Sequence, residues 1–136
     1  MDHFIYLKTK GDTMLLQDFY TVRTLKDLGE QKYIVDVALN KHHAIFKGHF
    51  PDQPVTPGVC MMQIIKELSE QVLERKLFMY KSSNVKFMAL INPEVNADLR
   101  LEIDISGSDE SDYKVKNVTY FEDTVALKLI CTFRVK

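Results

Sequence analysis

Residues 59–76 contain neither proline nor glycine, and they form the one long helical stretch that the chain offers. Its start is marked twice. Thr56 suits an N-cap, where a hydroxyl can accept an orphan backbone N–H, and Pro57 suits the first helical position, where its missing N–H costs nothing. Val59, Cys60, Met61, Met62, Ile64 and Ile65 surround the first two turns with apolar side chains. A helix that is apolar all round at one end is buried there by its surroundings. Further along it becomes amphipathic, with Leu68, Val72 and Leu73 set against Glu70, Glu74, Arg75 and Lys76.

The remaining residues supply the cover. Tyr33, Val35, Val37 and Leu39 alternate with more polar neighbours and predict a strand ahead of the helix. Behind it, residues 84–90 read as a strand. Leu99, Leu101, Ile103 and Ile105 alternate with Arg100, Glu102 and Asp104, the pattern of a sheet with one dry face. Residues 107–112 supply a turn, and residues 113–121 and 124–135 form a hairpin around Glu122 and Asp123. The order is strand, buried helix, then antiparallel strands. It predicts an α+β domain with a sheet packed around one helix. No repeat or linker divides the chain, so residues 14–136 are expected to form a single domain. Residues 1–13 are expected to be a loosely attached extension or the product of a start codon set too early.

Composition narrows the function. With 46% hydrophobic and 27% charged residues the chain is not a disordered one. A formal net charge of −1 provides no basic field for nucleic acid or an acidic membrane. An acidic partner would need a local patch, for which Lys41, Lys47 and Lys86 are the candidates. No apolar run is long enough for a membrane span or a signal-peptide core, which predicts a cytoplasmic protein. Cys60 and Cys131 lie far apart and form no CxxC pair, so buried thiols in a reducing compartment are expected. His42 and His43 are expected in a strand, facing opposite sides, and with His49 they lack a metal-ligand spacing. His3 falls in the extension. No metal or cofactor is expected, and Met61, Met62, Met79 and Met88 read as adaptable core.

The most informative stretch precedes the helix: Gly48-His49-Phe50-Pro51-Asp52-Gln53-Pro54-Val55-Thr56-Pro57-Gly58-Val59. Prolines three apart deny it a helix or a sheet ladder and stiffen it, so that His49 sits on a braced loop beside a helix N-terminus. The unpaired N–H groups there, including those of Gly58 and Val59, carry partial positive charge suited to a carbonyl oxygen gaining negative charge. A histidine titrating near neutrality could remove a proton from the adjacent carbon. On the residues alone, a hydrogen-bonded structural histidine is the plainer reading.

This stretch resembles the signature of β-hydroxyacyl-acyl-carrier-protein dehydratases. The resemblance implies a hotdog fold, an antiparallel β-sheet wrapped around one long central helix. It also implies dehydration of a 3-hydroxyacyl thioester, held on acyl carrier protein, to the trans-2-enoyl thioester in fatty-acid or polyketide-like synthesis. His49 matches the family's catalytic histidine, and the Gly58 and Val59 amides match the groups that polarise the thioester carbonyl. Phe50, Pro57, Gly58 and Val59 are the expected substrate contacts. The family's sites lie across a two-fold interface, which implies a homodimer with His49 facing the partner subunit's Gln63. Lys86-Phe87 followed by Pro93 resembles a later family motif, with Leu90, Glu94 and Val95 departing from it.

The main departure is Gln63, where the family carries glutamate or aspartate acting on the leaving hydroxyl. Glu67 then stands where glutamine often occurs, as if the two had exchanged places. Gln63 is also the only polar residue between Val59 and Ile65, so burial and hydrogen bonding are expected. An amide can orient a hydroxyl but is no ordinary proton donor. Three arrangements remain open. His49 carries the proton itself, Glu67 replaces the missing carboxylate, or the domain binds acyl thioesters without dehydrating them, alone or beside an active homologue. For Glu67 the plainer reading is a solvated or ion-paired helix residue. A hotdog thioesterase is the further alternative, disfavoured by the His49 loop.

Overall fold

The alternation in residues 98–106 is realised as a strand whose even positions face solvent while Leu99, Leu101, Ile103 and Ile105 are buried. The computed structural model describes residues 18–46 and 54–136. In chain order the elements are β1 (Tyr20–Gly29), β2 (Lys32–Leu39), a 3₁₀ turn (Ala44–Phe46), α1 (Gly58–Leu73), β3 (Leu77–Phe87), β4 (Asp98–Ser106), β5 (Tyr113–Phe121) and β6 (Thr124–Val135). The strands make one antiparallel sheet in the order β1-β2-β4-β5-β6-β3. The extension expected over residues 1–13 lies outside the described residues.

Register puts the core on one face. Val35 pairs with Leu101 and Val37 with Leu99, while Val115 pairs with Cys131 and Tyr113 with Phe133. All of these are buried, and they share one cluster with Cys60, Met61, Ile64, Ile65 and Leu68 of α1. Two polar residues, Asn117 and Thr119, sit on the same dry face. They are satisfied locally: Asn117 Nδ2 donates to the Glu102 carbonyl (3.1 Å) and Thr119 Oγ1 to Asn117 Oδ1 (2.9 Å). The cysteines are buried and free.

Several expectations are corrected. The sequence reading did not anticipate β1. It joins β2 through Glu30 and Gln31, both in the left-handed region at φ 56° and 60°. That geometry matches the twist of a tight hairpin, but it ordinarily goes with Asn or Gly, which left the turn unsignalled. β3 begins at Leu77 and not at Asn84, and its irregular register near Lys81 and Asn84 breaks the alternation that would have revealed it. His42 and His43 lie in the turn ahead of the 3₁₀ segment and not in a strand. There His43 Nδ1 accepts the Ile45 N–H (3.1 Å).

The helix has 16 residues, ends at Leu73, and leaves Arg75 and Lys76 outside; Glu74 caps it in the left-handed conformation at φ 55°. Pro57, extended at φ −62° and ψ 144°, occupies the N-cap without a side-chain cap bond. Thr56 therefore does not cap. It is buried, its N–H donates to the Ile91 carbonyl (2.8 Å), and its hydroxyl has no partner among the described residues.

Candidate active site

The N-terminal half of α1 carries the groups that the sequence singled out. Gly58 and Val59 open the helix, and in that first turn their N–H groups have no intrahelical acceptor. Cys60, Met61, Ile64 and Ile65 are wholly buried, as expected, but Val59 is 67% exposed. A cleft of about 400 Å³ opens beside this end, lined by Val55, Pro57, Gly58, Met61, Phe87 and Leu90 among others. The Phe87 ring lies so close to Gly58 that a Cβ there would stand 2.5 Å from its Cζ. Any side chain at that position would have to displace the exposed Phe87 ring. Cys60 offers no nucleophile to an acyl group, because burial pushes its thiol up to about 11.

Gln63 and Glu67, one turn apart on the same helix face, are bonded to each other. Gln63 Nε2 donates to Glu67 Oε2 at 3.0 Å. The second carboxyl oxygen, Oε1, accepts the Tyr20 hydroxyl at 2.7 Å. Glu67 is only 3% exposed, so it is neither solvated nor a surface ion-pair residue, and that expectation is corrected. Burial drives its carboxyl above the usual carboxylate range; the bonds from Tyr20 and Gln63 work against this, Glu70 adds to it, and Lys66 opposes it. Tyr20 is held well above the ordinary phenol range, first by burial and then by the neighbouring Glu67 charge, so it remains a donor at neutral pH.

Tyr20 was missed by the sequence reading. It is one of six tyrosines and lies in the unanticipated β1. Glu70 was also misplaced, since it is buried on α1 and accepts the Leu77 N–H at 2.8 Å. His49 and Phe50 lie outside the described residues, as does Lys47; Lys41 and Lys86 are exposed.

Comparison with known proteins now adds to this geometry. The ApeI-like family, described as the ApeI dehydratase, matches residues 25–126. The chain belongs to this family. With the sheet and single helix described above, it is a hotdog-fold member of the dehydratases. It is 27% identical over 121 residues to the 3-hydroxyacyl-[acyl-carrier-protein] dehydratase FabZ of Legionella pneumophila, covering 79% of this chain and 78% of that one. The structure of the dehydratase heterocomplex ApeI:P from Xenorhabdus doucetiae superposes with a TM-score of 0.68 at 18% identity, covering 84% of this chain and 96% of that one. A hypothetical thioesterase with coenzyme A from Streptococcus pneumoniae superposes at 0.63 and 11% identity, covering 92% and 94%. These two structural likenesses speak to fold alone.

Proposed function

We propose that the chain dehydrates a 3-hydroxyacyl thioester carried on acyl carrier protein, giving the trans-2-enoyl thioester and water. The observation that carries this reading is the Gln63–Glu67 pair. The family's acid-and-amide couple stands in exchanged order one turn apart on α1 and bonded together, with Glu67 buried and Gln63 half-buried. Family membership and the likeness to FabZ support the reaction class.

The roles follow from chemistry. His49 takes the proton from C2, and the first-turn amides of Gly58 and Val59 hold the charge that develops on the thioester oxygen. The C3–O bond breaks as the hydroxyl receives the proton back from the imidazolium. Gln63 orients that hydroxyl. Both oxygens of Glu67 are engaged by Tyr20 and Gln63, so Glu67 acts on the hydroxyl through Gln63.

Assay of the purified protein with 3-hydroxyacyl and enoyl thioesters, on carrier protein and on coenzyme A, tests this. Turnover in either direction that is abolished in His49→Ala without loss of fold is expected. Release of free acid would make the protein a thioesterase. Binding without turnover would make it an acyl-binding module or the partner of an active homologue, a reading that the amide at position 63 favours.

The same reading has the protein as a homodimer in which His49 approaches the partner subunit's Gln63. Support comes from β3, an edge strand that exposes Phe78, Tyr80, Val85 and Phe87, since a bare apolar edge invites pairing. Sedimentation at micromolar concentration should give twice the mass of the chain; a monomer would contradict it.

A further inference from the structure

The outward face of the sheet carries an unpaired group of lysines. Strands β5, β6 and β3 lie side by side, and their register sets Lys128 opposite both Lys86 and Val118, and Ile130 opposite both Lys116 and Asn84. Lys114 follows on the same face of β5, two residues from Lys116. Lys86, Lys114, Lys116 and Lys128 are exposed, and none has an ion-pair partner among the described residues. The arginines differ: Arg23, Arg75, Arg100 and Arg134 each meet an aspartate, at 3.4, 3.0, 3.2 and 3.1 Å. The lysines also cost the fold something, since like charges directly opposite on neighbouring strands, as at Lys86 and Lys128, repel. Guarding an edge strand against aggregation accounts for Lys86, but β5 and β6 are interior strands.

An apolar floor lies among these charges. Val118 and Ile130, both half-buried, line a cleft of about 210 Å³ together with Asn84, Lys86, Lys116 and Lys128. We propose that this surface docks an acidic amphipathic helix of the acyl carrier protein, its carboxylates on the lysines and its apolar side chains on Val118 and Ile130. The identity of the partner rests on the dehydratase reading; the chemistry of the surface does not. Dimensions suit one helix. Three strands span about 10 Å, and a helix with its side chains is about 10–12 Å across. Toward β4 the patch ends in carboxylates, as Asp104 stands opposite Lys116 and Glu102 opposite Val118. A nucleic-acid duplex or an anionic bilayer, wider than three strands, would press its phosphates against those carboxylates. Of the lysines that the sequence suggested for an acidic partner, Lys86 belongs to this surface, while Lys41 lies in the turn after β2. Pairing of two copies through the β3 edge would leave the surface open.

Replacing Lys86, Lys116 and Lys128 together by glutamine removes three charges from exposed positions. In calorimetric titration with purified acyl carrier protein, Kd should rise about tenfold and its dependence on salt should flatten, with the melting temperature unchanged. Arginine at the same three positions keeps the charge and should bind as the wild type does. Lys41→Gln should change nothing. On 3-hydroxyacyl thioesters, kcat/KM for the carrier-protein substrate should fall about tenfold in the triple glutamine variant, and that for the coenzyme A substrate should stay.

An unchanged Kd and salt dependence in the glutamine variant would overturn the proposal. So would an equal loss on the coenzyme A substrate, or a wild type that binds duplex DNA or anionic vesicles and no carrier protein. Binding separates the surface from the reaction. If the wild type binds carrier protein through these lysines but turns over no thioester, the dehydratase reading fails and the docking surface stands. If carrier-protein turnover survives the glutamine variant undiminished, the docking surface fails and the dehydratase reading stands.

Discussion

At Glu67, α1 faces Tyr20 of β1 and its own Gln63, side chain against side chain; less than a turn further on, at Glu70, it faces backbone. Glu70 Oε2 accepts the Leu77 N–H at 2.8 Å and stands 3.9 Å from Lys66 Nζ, while Oε1 has no partner among the described residues. Both carboxylates are 3% exposed. Burial therefore does not separate them, but the partners do. A backbone N–H at the first residue of β3 fixes where the helix ends and the strand begins, which is a folding task. The amide and the phenol hydroxyl at Glu67 are side-chain groups that leave the backbone path untouched.

Removing each acid in turn should have different consequences. Glu70→Ala takes away the acceptor of a buried N–H and the carboxylate beside a buried ammonium, and it should destabilise the protein by about 3 kcal/mol in urea unfolding. A loss within the error of a surface substitution would mean that the Leu77 junction is held by something else. A smaller effect is expected from pH. Glu67 has a folded pKa raised above its unfolded value of about 4.3. Its contribution to stability is then fully present below that value and is lost as pH rises through the folded pKa. The melting temperature of the wild type should therefore decline across that window more steeply than that of Glu67→Gln. Parallel curves would show that burial of Glu67 has no such consequence.

How far the sequence alone reached follows from the same residues. The helix, the β4 alternation and the β5–β6 hairpin were legible because apolar period and turn composition agree there. β1 was not, since Glu30 and Gln31 carry a hairpin turn that their side chains do not advertise. The exchange of Gln63 and Glu67 was visible as spacing on one helix face, but the bond between them was not anticipated. Burial of Glu67 and Glu70 was not visible, because it depends on Tyr20 and Leu77, which approach from strands distant in sequence or unmarked by alternation.

The most direct test is to compare kcat for Glu67→Gln and Glu70→Gln on the same 3-hydroxyacyl carrier-protein substrate, with melting temperature recorded for each. Glu67→Gln should lose about 10²-fold in kcat while remaining folded, because the Gln63 amide that orients the hydroxyl loses its carboxylate partner. Adding Gln63→Glu should then recover much of that loss. Glu70→Gln should keep kcat within about twofold and show the lower melting temperature, as expected for a bond that organises the fold. Equal kcat in the two variants, with no recovery by Gln63→Glu, would contradict the assignment of the Gln63–Glu67 pair to the reaction.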